Sequence, residues 1–354
     1  MQCITVIETD LAVRPAPAER TVALHTAADF AMAERTRDRL ARAVPDSTRR
    51  AYAGDLGRFR AWCHAQGRSA LPATGETLAD YAAQLAEDGK AASSIRRAMS
   101  AIGTAHKASG LAKPDTAGVV LVLRSYGRDQ AESGVRVRKA PPVTVEVLRA
   151  LVDATDQQSM GGLRDRALVV LGFALGARRS ELVALDLADV TEAPEGLVVL
   201  IRQSKTDKES AGAEVAVPFG SHPATCPVRT VRAWRDALAE VGISAGPLFR
   251  RIDRHGRLGA GASGRGASDR LGGQAVGLIL RRLAERADAT APGAMPALSA
   301  HSLRAGFATA AYRSGADPLA IARHGRWQDG SPALLGYIRS IDRWSSSPLA
   351  KVGL

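Results

Sequence analysis

Hydrophobic positions in the first half of the chain recur every three or four residues, with polar and charged residues between them. Residues 49–67, after a cap at Ser47 or Thr48, show the pattern best, with arginines around the apolar positions. Those positions are Tyr52, Leu56, Phe59 and Trp62 or Cys63. Such a period predicts an amphipathic helix, here with a basic side. Further helical stretches lie at 29–43, 75–89, 90–110 and 115–132. We therefore expect a helical first domain of four or five helices over residues 28–132.

The second half changes its pattern near residue 195. Two runs rich in β-branched residues, EGLVVLIRQSK and AEVAVPFG, are joined by TDKESAG, a length suited to a hairpin. The stretches on either side, including LRDRALVVLGFALGARRSELVALDLADV, are predicted to be helical, apart from a glycine-rich loop at 250–273. The fold class expected is mainly α with a small antiparallel β-sheet. We expect residues 1–27 to be a mobile tail, the basic, proline-containing run 133–144 to be a linker, and 145–354 to form a second domain.

The length of the chain favours two domains, and its net charge favours a polyanionic partner. A chain of 354 residues exceeds one comfortable hydrophobic core. Lys and Arg number 48 against 36 Asp and Glu, a formal charge of +12, which favours nucleic acid over a membrane surface. The three cysteines are too far apart to indicate disulfides or zinc. With no secretory or membrane-spanning pattern, we expect a cytoplasmic protein.

The candidate chemistry lies in the last sixty residues. His301 and Arg304 are three residues apart in SAHSLRAGFATAAY, which puts both side chains on one face of a helix, where they can hold an anion. Tyr337 follows in RHGRWQDGSPALLGYIR, a phenol among several arginines. A G-x-G-x-x-G run begins at Gly259, but no strand precedes it, so it does not predict nucleotide binding. We expect neither a cofactor nor a metal ion.

Four runs, in this order, resemble the boxes of the tyrosine recombinase (phage integrase) family, most closely those of Cre-type members. The resemblance covers about residues 45–354. GARRSELVAL is similar to the first box, with Arg178 and Glu181, and QSKTDKESAGAEVAVP to the hairpin with the catalytic lysine. HSLR matches the second box, and GRWQDGSPALLGYIR the third. The site residues that the resemblance implies are Arg178, Glu181, Lys205, His301, Arg304, Trp327 and Tyr337.

The resemblance implies a helical core-binding domain followed by a catalytic domain. It also implies a site-specific DNA recombinase that cuts and rejoins strands through a 3′-phosphotyrosyl intermediate, without metal or ATP. Two arginines would clamp the phosphate, because a guanidinium fork binds two oxygens at once. A tyrosine with a pKa of about 10 needs help to lose its proton at neutral pH, and we expect that help from His301 and the cationic pocket. Lys205 would protonate the leaving 5′ oxygen, and the indole N–H of Trp327 would contact the phosphate.

Several alternatives stay open. Lys208 rivals Lys205, and His324 rivals Trp327 for the third-box position. Trp327 and Tyr337 are ten residues apart where the family usually has nine, so we expect a one-residue bulge at Asp329 and Gly330. Other functions to consider are a type IB topoisomerase, a telomere resolvase, or a catalytically inactive DNA-binding regulator.

The expected partners are double-stranded DNA with a specific recombination site and, on paired sites, three further copies of the chain in a homo-tetramer. The run PLAKVGL at the C-terminus resembles the short helix with which such subunits pack into a neighbour. The expected location is the bacterial cytoplasm, at the nucleoid when the protein is bound to DNA.

Overall fold

A computed structural model describes residues 26–135, 141–204, 211–259, 269–290, 293, 295–341 and 352. The chain divides into two compact units, Met1–Val137 and Arg138–Leu354. Several predictions fall outside the described residues. They concern most of the tail, the centre of the linker, Lys205 with its rival Lys208, residues 260–268 of the glycine-rich loop, and nearly all of the C-terminal run.

The first unit is helical throughout its described part. Its helices are α1 (Glu34–Ala43), α2 (Asp46–Ala65), α3 (Gly75–Glu87), α4 (Ala92–Ala108) and α5 (Ala117–Glu132), with a short 3-10 turn at Ala27–Phe30. The apolar stripe predicted for α2 faces the core, where Phe59 lies 5.0 Å from Tyr81 between ring centroids. The stretch 29–43, predicted as one helix, is interrupted at 31–33.

The basic side of the first unit is organised by one buried carboxylate. Asp55, on α2, has a side chain that is only 3% exposed. It accepts a two-point hydrogen bond from Arg97 on α4, with Nε to Oδ2 at 2.7 Å and Nη2 to Oδ1 at 3.1 Å, and it also pairs with Arg58. Both arginines remain substantially exposed. A buried anion therefore fixes two guanidinium groups, from two helices, at the surface.

The second unit surrounds a small sheet with helices. In chain order its elements are α6 (Val145–Asp153), α7 (Met160–Ala174), α8 (Arg179–Ala184), β1 (Val190–Ala193), β2 (Gly196–Ile201), β3 (Ala213–Pro218), α9 (Pro227–Glu240), α10 (Gly273–Thr290), α11 (Ala300–Arg313), α12 (Pro318–Gly325) and α13 (Pro332–Ile341). Leu168 and Leu171 of α7 lie in the core beside Trp234 of α9. The indole Nε1 of Trp234 donates to the carbonyl of Leu248 at 2.8 Å, which satisfies its polar atom.

The sheet confirms the predicted hairpin and adds a strand. Strands β2 and β3 pair antiparallel from Gly196 opposite Pro218 to Ile201 opposite Ala213. Strand β1 pairs with the other edge of β2. The helical prediction for the end of the first-box run was wrong there, because a 3-10 turn at Leu187–Asp189 leads directly into β1. A four-residue strand is too short to show a period of two. The expectation of a mainly α fold with a small antiparallel sheet is confirmed.

Among the helices of the described ranges, none combines the length and the apolar character needed to cross a bilayer.

Candidate active site

Side-chain contacts, together with one hydrogen bond to the backbone carbonyl of Arg326, join six of the seven predicted site residues into one cluster in the second unit. The six are Arg178, Glu181, His301, Arg304, Trp327 and Tyr337. The seventh, Lys205, lies outside the described residues. Its neighbour Ser204 is described, however, and Nη1 of Arg178 lies 2.9 Å from the Ser204 hydroxyl oxygen. The loop between β2 and β3 therefore leaves the sheet beside Arg178.

Arg178 and Glu181 form the start of α8. The backbone N–H of Arg178 donates to Oε2 of Glu181 at 3.0 Å, and its Nη1 donates to Oε1 at 2.6 Å. The carboxylate thereby satisfies a free N–H at a helix N-terminus, as the fourth residue of a capping box does. Burial by itself would raise the pKa of Glu181, but the cations of Arg326 and Arg178 more than offset it and lower that pKa. Glu181 is therefore a buried anion at neutral pH.

Arg304 is held by two backbone carbonyls. Its Nη1 donates to the carbonyl oxygens of Gly176 and Gly325, both at 2.5 Å. Gly176 has φ 53°, and a side chain there would overlap the ring of Phe307, so only glycine places this carbonyl under the guanidinium. Nη2 of Arg304 is buried and has no acceptor among the residues that the structure describes. An arginine that is 1% exposed is thus left with an unsatisfied nitrogen in the described part of the chain, which is unusual for a buried polar group.

Burial is also the main reason that the pKa of Arg304 falls to about 9, with the nearby charge of Arg178 as the next cause. That value is still above neutrality, so the guanidinium carries its charge at pH 7. A buried cation close to another cation is costly unless an anion joins them. The pair is therefore suited to an anionic ligand.

Trp327 covers Arg304 and borders Tyr337. The guanidinium carbon of Arg304 lies 3.6 Å from the centroid of the indole, a cation–π contact, and the Tyr337 ring meets the indole edge at 6.4 Å. A tight turn lies between Trp327 and Tyr337, at the position of the predicted bulge. In that turn the N–H of Ser331 donates to the carbonyl of Gln328 at 3.0 Å, and Gly330 has φ 69°.

Tyr337 and His301 meet across helices α13 and α11. The Tyr337 hydroxyl oxygen lies 2.8 Å from Nε2 of His301. Although His301 is an exposed residue, partial burial of its ring, followed by the charges of Arg304 and Arg178, lowers its pKa. The histidine is therefore neutral at pH 7, and the tautomer with its proton on Nδ1 accepts a hydrogen bond from the phenol at Nε2. Burial raises the pKa of Tyr337, and the charge of Arg304 opposes this rise only in part.

His324, the rival of Trp327, faces away from Tyr337. Its Nε2 donates to the carbonyl of Ala174 at 2.8 Å, and its ring stacks on Phe307 at 4.7 Å between centroids. Burial lowers its pKa, so a neutral ring with Nε2 protonated fits both contacts. In this arrangement it is Trp327, not His324, that borders the phenol.

Arg326 enters the cluster without having been singled out from the sequence. Its Nη2 donates to Oε2 of Glu181 at 2.8 Å, and its carbonyl accepts from Nη2 of Arg178 at 3.2 Å. In the sequence it is one of several arginines ahead of Tyr337, and no spacing rule distinguishes it. Its neighbour Arg323, by contrast, is exposed.

This arrangement suits the attack of a phenol on a phosphodiester. A neutral base contacts the hydroxyl, and two arginines of the same cluster carry the positive charge that binding of a phosphate requires. A model of the phage integrase family matches residues 142–342, more than half of the chain.

The chain belongs to the phage integrase family.

The N-terminal SAM-like domain of phage integrases matches residues 39–130. An integrase/recombinase xerD homolog of Selenomonas ruminantium is 35% identical over 291 residues, which cover 81% of this chain and 80% of the relative. The Cre recombinase of Escherichia phage P1 is 25% identical over 292 residues, 80% of this chain and 81% of the relative. The identification as a tyrosine recombinase from the four boxes is thus confirmed, and with it the expectation of a site-specific recombinase.

Solved structures of integrases share the fold. The Tn1549 transposon integrase in complex with transposon right end DNA has a TM-score of 0.56 at 15% identity, covering 87% of this chain and 95% of that one. A lambda integrase dimer bound to a COC′ core site has a TM-score of 0.54 at 14% identity, covering 89% and 95%. At these identities the likeness concerns the fold.

Proposed function

We propose that the chain cuts and rejoins double-stranded DNA at a specific site, with Tyr337 as the nucleophile. The observation that carries this assignment is the hydrogen bond between the Tyr337 hydroxyl and Nε2 of His301, 2.8 Å long, beside Arg304. The phenolic oxygen attacks a phosphorus atom, and the bond from phosphorus to the 5′ oxygen breaks. The products are a 3′-phosphotyrosyl link and a free 5′-hydroxyl. Because the link keeps the bond energy, a second 5′-hydroxyl reverses the step without ATP.

His301 takes the proton of Tyr337 in this proposal. The raised pKa of the phenol means that a free phenolate is scarce at neutral pH. A neutral imidazole in hydrogen-bond contact removes the proton while the new bond forms, which is general-base catalysis. On rejoining, the same imidazolium returns the proton to the departing phenol.

Arg178 and Arg304 clamp the nonbridging oxygens. The buried Nη2 of Arg304 is available to an oxygen of the substrate, since no described residue accepts from it. Arg178 is fixed by Glu181 and by the carbonyl of Arg326, so it does not have to reorganise when charge builds up on the phosphate. Trp327 keeps Arg304 in place and can give its indole N–H to the phosphate.

Lys205 gives a proton to the leaving 5′ oxygen. The assignment is supported by Ser204, the residue before it, whose hydroxyl is in hydrogen-bond contact with Arg178. Lys208, three residues further on, is the alternative.

The first unit binds the DNA duplex through its basic side. Asp55 holds Arg58 and Arg97 at the surface, where guanidinium groups can meet phosphates. The net charge of +12 supports a polyanionic partner, and the solved integrases of similar fold are held on DNA. Exchange between two duplexes needs one cut in each of four strands. Since the proposed nucleophile occurs once per chain, we propose a homo-tetramer on paired sites.

Covalent trapping tests the proposal. The wild type and Tyr337→Phe are incubated with fragments of the DNA that flanks the gene, in the presence of a chelator, and then denatured. We expect protein-linked DNA only with the wild type, with the protein on the 3′ end of the cut and a free 5′-hydroxyl opposite. Tyr337→Phe should bind the same fragment with unchanged affinity.

Two other results would replace the proposal. Sequence-specific binding with no adduct on any fragment would indicate a DNA-binding regulator. Adducts at many unrelated sequences, with relaxation of supercoiled DNA, would indicate a topoisomerase.

A further inference from the structure

Arg326 has an unusual backbone for its residue type. It follows the last residue of α12 with φ 57° and ψ 45°, the left-handed conformation. It is the one non-glycine residue with a positive φ in the described part of the chain. Glycine is the common residue where a helix ends in this way, because a Cβ is unfavourable there. A side chain at this position therefore needs compensation from its contacts.

The contacts of the Arg326 side chain are extensive. The side chain is 6% exposed. Its Nη1 donates to the carbonyl of His324 at 2.8 Å, and its Nη2 donates to the carbonyl of Leu175 at 3.2 Å and to Glu181 at 2.8 Å. The guanidinium thus links the end of α7, the start of α8 and the end of α12. A solvated arginine makes no such set of fixed bonds.

These bonds form a closed ring with Arg178. Glu181 accepts from Arg326 through Oε2 and from Arg178 through Oε1, while the carbonyl of Arg326 accepts from Nη2 of Arg178. Arg326 therefore contacts Arg178 directly, through its backbone carbonyl, and indirectly, through Glu181. On its other side, the next residue is Trp327, which covers Arg304. A shift of Arg326 would displace both arginines.

We propose that Arg326 is a positioning residue, which shares Glu181 with Arg178 and so fixes the orientation of Arg178 for the phosphate of the substrate. This inference rests on the proposed function. Without the second cation, Oε2 of Glu181 keeps the backbone N–H of Arg178 as its partner among the described residues. The carboxylate can then turn both oxygens toward the Arg178 guanidinium and draw that guanidinium away from the substrate. The role belongs to the chemical step and not to the affinity for DNA, because the Arg326 side chain is buried behind Arg178.

The test uses single-turnover cleavage of a nicked DNA site, found by the trapping experiment above, together with site affinity and thermal midpoint. The variants are Arg326→Met, Arg326→Gly and Arg326→Lys. Arg326→Gly is included because glycine adopts the left-handed conformation readily, so we expect this uncharged variant to fold even if Arg326→Met does not. Arg229→Met, at an exposed position on α9, is the control for loss of one positive charge from the same unit. All rates are measured well below each midpoint.

We expect Arg326→Met and Arg326→Gly to cleave about tenfold to a hundredfold more slowly, the loss that a misplaced group produces, with site affinity close to that of the wild type. Arg326→Lys should restore most of the rate, because its ammonium can still pair with Glu181. The double variant Glu181→Gln with Arg326→Met should be no slower than the slower single variant, since the two residues act as one unit.

Two results would overturn the inference. The first is that Arg326→Met and Arg326→Gly both cleave within twofold of the wild-type rate. The second is that Arg326→Lys is as slow as Arg326→Met, while the rate losses of Glu181→Gln and Arg326→Met are additive in the double variant. If the wild type itself forms no adduct, the proposed function fails first, and that outcome is visible before any Arg326 variant is made.

Discussion

The Tyr337 hydroxyl and Nε2 of His301 are 2.8 Å apart, although 36 residues separate them in the chain. Burial raises the pKa of the phenol, while burial and two arginines lower the pKa of the imidazole. Both groups are therefore neutral at pH 7, with the proton on the phenol. The pKa difference opposes proton transfer in the free protein. In the proposed reaction, transfer becomes favourable as the phenolic oxygen bonds to phosphorus, so the tyrosine would react only with a phosphate bound in the site.

A base of this kind predicts the acidic side of the pH–rate profile. His301 must be neutral to accept the proton, so the cleavage rate falls as pH falls through its pKa, which lies below the usual value of about 6.5. His301→Gln should lower the single-turnover rate by about 10²- to 10⁴-fold and remove that acidic limb. Site affinity, measured by gel shift at each pH, is the control. An acidic limb that persists unchanged in His301→Gln would assign it to another group.

If Lys205 protonates the leaving 5′ oxygen, substitutions of Lys205 and Lys208 should differ in their effect on cleavage. A 5′-alkoxide is a poor leaving group, whereas a 5′-thiolate leaves without a proton because thiols are far more acidic. Lys205→Ala should therefore cleave ordinary DNA at least about a hundredfold more slowly, within the range for general-acid catalysis, and recover on a substrate with sulfur at the bridging 5′ position. Lys208→Ala is the matched control and should cleave both substrates at the wild-type rate. The reverse result would assign the role to Lys208.

Two substitutions separate the contribution of Trp327 to packing from that of its indole N–H to the reaction. Its ring covers Arg304 and packs with Ile321, Leu334 and Ile338. Trp327→Ala should lower the free energy of unfolding by about 3–5 kcal/mol, the usual cost of emptying a buried aromatic site. Trp327→Phe keeps a ring over Arg304 and loses the indole N–H. We expect most of the stability to remain, and the cleavage rate to fall about tenfold, as for loss of one hydrogen bond to a charged oxygen. A fully active Trp327→Phe would exclude the N–H from the reaction.

The sequence predicted the members of this cluster better than the contacts between them. The boxes around Arg178, His301 and Tyr337 could be recognised because each keeps its residue types at short, fixed spacings. The ring through Arg326 could not, since it depends on contacts between residues more than 140 positions apart and on a left-handed backbone that the residue type disfavours.

The hydrophobic pattern also gave a wrong prediction for one very short element. Strand β1 has four residues and follows a helical run without a glycine or proline, so the helix was extended too far. Gly330 shows the opposite case, because an Asp-Gly pair signals a turn by itself. The turn at 328–331 was predicted as a bulge from that pair and from the extra residue in the box, and the structure has a tight turn there.

His324 predicts a pH dependence of stability that is independent of catalysis. Burial lowers its pKa in the folded protein, so unfolded chains bind the proton first as pH falls below about 6.5. The free energy of unfolding should thus be greatest above that pH and decrease until the folded pKa is passed. His324→Gln should reduce the slope in chemical denaturation measured between pH 7 and pH 5, and should cleave DNA within about threefold of the wild type. His301 contributes with the same sign, so His301→Gln is measured in parallel. An unchanged slope in His324→Gln would mean that its ring is as easily protonated as in the unfolded chain.

The proposed tetramer predicts that the C-terminal run acts between subunits. PLAKVGL resembles the terminal helix that packs into a neighbour, and its residues lie almost entirely outside the described ranges. Deleting residues 347–354 should leave binding to a single site unchanged and lower recombination between paired sites. Tyr337→Phe provides the matched background, because it separates assembly from strand cleavage. In that background, the full chain should pair two sites in a native gel, and the shortened chain should not. Equal pairing by both chains would show that subunit contacts lie elsewhere, while loss of single-site binding would assign the run to DNA contact or to folding of the second unit.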